Sequence, residues 1–219
     1  MNLVFLGAPG AGKGTQAGIL AKRIGLPAIS TGQLLREAVK NETPYGMTAK
    51  FYMELGELVP DEVIIDIINE RLADPDCVKG CVLDGMPRTI VQAEALENNG
   101  IEVDVAISIE IQDEEIVERM SGRRTCHTCG APYHITAAPS KVDGVCDECG
   151  GVLEIRKDDY PETVRNRLVV FHRDTEPLKD YYLAKGILIV VDNKPGIEAT
   201  TKVIFEALGI FDDDTQVSP

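Results

Sequence analysis

One stretch near the start limits what this chain can fold into more than any other: Gly7-Ala8-Pro9-Gly10-Ala11-Gly12-Lys13-Gly14-Thr15. It has the G-x-x-x-x-G-K spacing of a phosphate-binding P-loop, and it stands between the apolar run Leu3-Val4-Phe5-Leu6 and a helix-forming stretch from Gly14 to Arg23. Glycines let successive backbone N–H groups turn inward with no Cβ in the way. The following helix offers its own N-terminal donors, and Lys13 adds a cation for terminal phosphates. A strand must feed such a loop and a helix must leave it, which places the loop at the carboxyl end of a strand in an α/β sheet. Gly14 fills the slot where these loops usually carry a magnesium-binding Ser or Thr, and Thr15 comes one place later.

The remainder reads as more of the same alternation. Apolar runs over 27–30, 81–84, 103–109 and 187–191 are predicted strands, and helical spacing is predicted over 31–40, 45–55, 60–73, 89–98, 112–121 and 161–185. Strands separated by helices form a parallel, doubly wound α/β sheet, here of five strands. Residues 122–159 break the alternation with paired cysteines, glycines and prolines, which marks an inserted mini-domain. The acidic end, 212–219, is expected to fray.

The chain of 219 residues has a formal charge of −14, which repels polyphosphate backbones and argues against a general nucleic-acid binder. No apolar stretch reaches the roughly 20 residues that span a bilayer. With neither a leader pattern nor a membrane span, the expected location is the cytoplasm. Thiols stay reduced there, so six cysteines are read as metal ligands or core residues rather than disulfides. Cys77 and Cys81 suit buried core positions. Cys126-His127-Thr128-Cys129 and Cys146-Asp147-Glu148-Cys149 form C-x2-C, sixteen residues, C-x2-C, the spacing of two knuckles that present four thiolates to one zinc ion. Four thiolates fill the coordination sphere, so the metal is structural; His127 in place of one cysteine is the weaker alternative. A zinc ribbon that binds nucleic acid would want a basic aromatic face, which this segment lacks.

Taken with Gln16, the loop resembles the adenylate kinase form, in which a glycine follows the lysine. Ser30-Thr31-Gly32, Asp84-Gly85-Met86-Pro87-Arg88 and Gly122-Arg123-Arg124 recur at that family's separations. The resemblance spans residues 1 to 211 and implies transfer of a phosphoryl group from ATP·Mg²⁺ to AMP, giving two ADP, by a monomer that needs no nucleic acid or membrane. It divides the chain into core segments 1–29, 60–121 and 160–219, an acceptor-binding insertion 30–59 and a zinc lid 122–159. Such a reaction needs cations around a loose transition state rather than a general base, and arginine's planar fork suits it. The resemblance implies that Arg36 and Arg88 hold the acceptor phosphate while Arg123, Arg156 and Arg167 surround the transferring group. It puts Gly10, Ala11, Gly12, Lys13, Gly14, Thr15, Arg119, Arg123, Pro132, Tyr133 and Pro195 on ATP, with Arg119 against the adenine. It puts Thr31, Glu57, Leu58, Val59, Gly85, Met86, Pro87 and Gln92 around AMP, with Arg156 and Arg167 also reaching it. Asp84 orients magnesium-bound water or caps the turn after its strand, and Asp158 and Asp159 form an acidic pair near metal and ribose. Gln33 and Met86 stand where the family commonly has aspartate and phenylalanine. Arg71, Arg173, His127, His134 and His172 receive no role in the reaction.

Overall fold

The computed structural model describes residues 1–210, so the acidic 212–219 segment lies outside the described residues. β1 (Asn2–Leu6) runs into the glycine loop and α1 (Lys13–Ile24), followed by β2 (Ala28–Ser30), α2 (Thr31–Lys40), α3 (Pro44–Leu55) and α4 (Asp61–Leu72). β3 (Cys81–Asp84), α5 (Ile90–Asn98), β4 (Val105–Glu110) and α6 (Asp113–Gly122) complete the first half. After the inserted segment come α7 (Pro161–Val170), α8 (Leu178–Ala184), β8 (Leu188–Asp192) and α9 (Ile197–Ala207). β1, β2, β3, β4 and β8 form one parallel sheet in the order β2-β3-β1-β4-β8.

The sheet is buried on both faces, as parallel sheets are. Val4, Leu6, Leu83 and Ala106 pack on one side with Leu96, Leu178 and Tyr182, while Leu3, Phe5, Val82 and Ile107 pack on the other with Leu20 and Ile204. Alternate residues of one strand thus feed two cores. Cys77 and Cys81 are buried in the first, as expected of core thiols. The loop Gly7–Gly12 sits where β1 ends beside β3 and β4, at the carboxyl edge of the sheet.

Two readings of the helices need correction. The predicted helix over 161–185 is interrupted: Phe171–Thr175 is a wide π turn, closed by Glu176 N–H donating to Phe171 O at 2.9 Å. Pro177 has no N–H to give and its ring obstructs the carbonyl four residues back, so an α-helical register cannot run through. α9 was not predicted at all; it docks on α1, where Thr201 Oγ1 donates to Gln16 Oε1 at 2.8 Å. Between α2 and α3 the chain is turned by local chemistry. Thr43 Oγ1 accepts from Gly46 N at 3.0 Å, and Pro44 opens α3.

The π turn is stapled by charge. His172 Nε2 lies 3.0 Å from Asp113 and Nδ1 lies 2.8 Å from Glu176, so both ring nitrogens face carboxylates and the imidazolium suits the site. Lys179 joins Glu176 to Glu110 at 3.1 and 2.8 Å. Hydrogen bonds to Glu176 and Asp113 raise the His172 pKa above its ordinary 6.5. A raised folded value means the stabilisation is complete below the unfolded pKa and fades as pH rises through the folded one. We expect His172→Ala to lower Tm relative to the parent by more at pH 5.5 than at pH 9, read by thermal melts at both. Equal deficits would remove the staple.

The inserted segment forms its own three-stranded antiparallel sheet, β5 (Arg123–Cys126) between β6 (Pro132–His134) and β7 (Leu153–Glu154). Its core is only Cys126, Ala131 and Cys146, with Tyr133 and Leu153 packed against them.

Candidate active site

The loop after β1 is shaped as its glycines require. Gly10 and Gly12 sit at φ 83° and 94°, a region that L side chains rarely adopt, and a Cβ on Gly10 would fall 2.8 Å from Met120 Sδ. Lys13 Nζ folds back on the loop and donates to Gly7 O and Ala8 O, both at 2.7 Å. Burial drives its pKa down to about 7; Asp84 opposes this, and Arg88, Arg167 and Arg123 add to it. The glycine after the lysine has a tertiary reason, because a Cβ there would stand 2.9 Å from Asp84 Oδ2. Asp84 occupies the space of a Walker-type hydroxyl side chain, and its Oδ2 also accepts from Ser30 Oγ at 3.3 Å.

Arginines from five separate places in the chain converge in front of the loop. Arg36 comes from α2, Arg88 from the turn after β3, Arg123 from β5 and Arg167 from α7, with Arg156 just before the short helical turn Lys157–Asp159. Burial pushes the guanidiniums of Arg36, Arg88, Arg156 and Arg167 below their ordinary values. Neighbouring Arg36 and Arg123 push Arg156 further down, to about 9. Asp159 is fully buried, pairs with Arg123 and lies 3.5 Å from Arg167. Asp158 accepts from Arg167 at 3.0 Å; burial works to raise its carboxyl, but Arg167, Arg123, Arg156 and Arg36 outweigh it and hold it low. Asp159 is therefore spent on positioning arginines. Six cations, including Lys13, face three carboxylates here, and an anionic ligand relieves the excess.

Behind the arginines lies a cleft whose wall includes Thr31, Arg36, Glu57, Leu58, Val59, Gly85, Pro87, Arg88, Gln92 and Arg167, and Lys13 also lines it. Leu35, Met53 and Ile64 make part of this wall apolar. Thr31 Oγ1 is buried with no hydrogen-bond partner, a costly state that a ligand donor or acceptor would end. Met86 does not line the cleft; it is 1% exposed and belongs to the core. Gln33 turns along its own helix to Glu37, 3.1 Å away. Neither departure from the family pattern thus touches the cleft surface.

The backbone of Arg88 is clamped. Its N–H donates to Gln92 Oε1 at 2.7 Å, its carbonyl accepts from Thr175 Oγ1 at 2.8 Å, and its own Nε donates to Gly85 O at 3.0 Å. Thr175 and Phe171, which also lines the cleft, escaped the sequence reading. Both lie in the π turn, 87 residues beyond Arg88 in the case of Thr175, and no local pattern announces such a contact.

Residues expected around the second nucleotide are more scattered. Arg119 on α6 reaches the side-chain oxygen of Asn193 at 2.5 and 3.0 Å once that amide faces it, which ties it to the loop carrying Pro195. His134 Nε2 donates to Arg119 O at 3.1 Å and fastens β6 to the end of α6. Pro132 and Pro195 are exposed. Tyr133 has its hydroxyl in the cysteine cluster, 3.4 Å from Cys146 Sγ and accepting from Asp147 N at 2.8 Å.

The four cysteines fit zinc. Sγ atoms of Cys126, Cys129, Cys146 and Cys149 all lie within 4.8 Å of one another, and the closest pairs are 3.4 and 3.6 Å apart. A tetrahedral ZnS4 centre needs sulfurs about 3.8 Å apart. Backbone N–H groups of Gly130 and Gly150 close the two turns on Cys126 O and Cys146 O at 3.0 and 2.9 Å. His127 is outside the cluster and pairs with Glu154 at 2.9 Å.

A P-loop beneath a cage of arginines, with an apolar cleft to one side and a cysteine-knuckle insertion above, defines a nucleotide-binding phosphoryl-transfer fold. The family model for adenylate kinase matches residues 5–187. The adenylate kinase of Caldicellulosiruptor bescii is 55% identical over 96% of this chain and the whole of that protein. That of Archaeoglobus fulgidus is 54% identical over 93% of this chain and 96% of the relative, and that of Geobacter sp. is 52% identical over 95% and 99%. The chain belongs to the adenylate kinase family.

Proposed function

We propose that this enzyme transfers the terminal phosphoryl group of ATP to AMP, forming two ADP, and that the two nucleotides meet between the glycine loop and the arginine cage. The single observation that carries the site assignment is the excess of buried cations around Lys13, Arg88 and Arg167, beside a cleft whose Thr31 hydroxyl lacks a partner. Lys13 and the loop amides hold the donor phosphates, Arg36 and Arg88 hold the acceptor phosphate, and Arg123, Arg156 and Arg167 take up charge as it spreads over the transferring group. The attacking atom is a phosphate oxygen that is already anionic, so no histidine is needed to deprotonate it. Asp84 and Asp158 would hold the water of the magnesium that comes with ATP, and that ion would supply charge neutralisation at the donor phosphates.

Residues 30–59 act as the acceptor-binding insertion and 122–159 as a zinc-stiffened lid whose closure excludes water, so that ATP is not hydrolysed without an acceptor. The protein is read as a monomer whose Lys13, Arg36, Arg88, Arg123, Arg156 and Arg167 assemble the site without a second copy. The net charge of −14 supports a protein with no nucleic-acid partner. No described helix is long and apolar enough to cross a membrane, and the reduced thiols suit a cytoplasmic setting.

The test is a coupled assay of diphosphate formation from ATP·Mg²⁺ with AMP, CMP, UMP or GMP, each beside a control without acceptor. AMP is expected to be preferred strongly, with negligible turnover in the control. Preference for another base would keep the phosphate sites and move the acceptor assignment; rapid hydrolysis without acceptor would overturn the lid's role.

A further inference from the structure

Gln92 is 1% exposed and both ends of its amide are engaged. Oε1 accepts from Arg88 N–H at 2.7 Å, and Nε2 donates to Asp61 Oδ1 at 2.7 Å. A backbone N–H can only donate and a carboxylate can only accept, so these partners together dictate which end of the amide is oxygen. Asp61, the first residue of α4, is itself held by Thr89 Oγ1, 3.2 Å from each carboxylate oxygen. Thr89 Oγ1 in turn accepts from Gln92 N at 3.1 Å, so the four groups close a ring between the starts of α4 and α5.

Each end of an amide has more capacity than these bonds consume. Nε2 keeps one N–H and Oε1 keeps one lone pair. Gln92 lines the cleft beside apolar Val59 and Ile64, a surface suited to the face of a purine ring. An amino base such as adenine presents an amino donor next to a ring-nitrogen acceptor. A 6-oxo purine presents the same two positions with donor and acceptor exchanged. An amide free to rotate by 180° satisfies either, whereas an amide held at both ends satisfies one.

We propose that Asp61 is a positioning residue that sets acceptor specificity: by holding Gln92 Nε2 it locks the amide in the orientation that accepts amino bases and opposes oxo bases. The inference rests on the reading above that AMP is the acceptor and that Gln92 faces its base. Asp61 does not line the cleft and acts only through Gln92. Arg88 N–H supplies the second hold on the amide, so loss of Asp61 leaves it loosened rather than inverted.

The zinc-loaded full chain, Asp61→Asn, Asp61→Ala, Gln92→Ala and the Asp61→Ala/Gln92→Ala double variant are compared in initial-rate assays with ATP·Mg²⁺ and either AMP or inosine monophosphate. These two acceptors differ chiefly at the edge in question. Loss of one hydrogen bond to a charged group corresponds to about a tenfold change. Asp61→Ala is therefore expected to lower the AMP-to-IMP ratio of kcat/KM about tenfold, mainly through KM for AMP. Asp61→Asn, which can still accept from Nε2, should retain most of the ratio. In the Gln92→Ala background, Asp61→Ala should change the ratio no further, because its route of action is gone. A ratio unchanged in Asp61→Ala while Tm falls would reduce Asp61 to a structural residue and overturn the proposal. So would a further loss of equal size in the Gln92→Ala background. If Gln92→Ala itself leaves the ratio at the parent value, the reading of Gln92 as base-facing is what fails, and the proposal falls with it.

Discussion

Lys13→Ala is expected to lower turnover by about 10²–10³-fold, the usual loss when one charge-stabilising donor is removed from a transition state. Lys13 Nζ is held on Gly7 O and Ala8 O, inside the loop proposed above to receive the donor phosphates. Burial has brought its pKa down to about 7 from 10.5, which means the folded protein bears a cost for keeping it charged. The unfolded chain binds the extra proton between those values, so this cost is complete below pH 7 and disappears toward pH 10.5. Alanine removes the cost along with the function, and Tm of Lys13→Ala at pH 7 should match or exceed the parent's. Arg88→Ala should show a loss of similar order with the fold intact, because Gln92 and Thr175 hold the backbone at position 88 whatever its side chain. Steady-state kinetics and thermal melts on both variants decide the matter. Near-normal turnover in both would remove these residues from the reaction, and a collapse of Tm in Lys13→Ala would show the lysine to be structural.

Loss of the metal has the second large effect, on stability rather than on chemistry. The lid's own core is three small buried side chains, far too little to offset the ordering of nearly forty residues. Four thiolates around zinc supply what the missing apolar area does not, and about 10–16 kcal/mol is typical of such centres in isolated zinc-finger peptides. Chelation, or Cys146→Ser, should therefore release the lid as a unit. Amides of Cys126 and Cys146, now bonded to Ala131 O and Gly151 O at 2.9 and 2.8 Å, should lose their protection from hydrogen exchange while β1, β3 and β4 keep theirs. Metal analysis should return one zinc per chain. The apo protein should melt about 10 °C lower or in two steps, given about 2–4 °C per kcal/mol for a chain of this size. An unchanged melt with unchanged exchange in the lid would mean that zinc does not hold it.

Much of this was open to reading from the chain itself, because the signals are local. A G-x-x-x-x-G-K run after an apolar strand, paired C-x2-C knuckles and apolar runs of strand length each act within a few residues. They located all five strands of the parallel sheet, the glycine loop at its carboxyl edge and the four cysteines that cluster. The arginines around the site were identified through family resemblance. Composition alone offers no reason to prefer Arg36 or Arg167 over Arg71, which lies with Asp74 and Asp76 at the end of α4.

What tertiary structure decided are the matters that depend on residues meeting across long stretches of chain. Gly14 is glycine because Asp84 comes within 2.9 Å of where its Cβ would be, and Gly46 is glycine because α3 lies against the carbonyl of Ala38, 2.1 Å from where a Cβ would stand. The π turn at Phe171–Thr175 brings Thr175 to Arg88, a contact that no periodicity encodes. Asp61 is by local chemistry an acidic residue in the first turn of a helix; only the packing of α4 against α5 turns its carboxylate toward the Gln92 amide. Sequence by itself determined the elements and their chemistry, since propensity, turn geometry and ligand spacing are short-range. The tertiary fold alone decided which groups share a cavity and which way an amide points, since those follow from packing between distant segments.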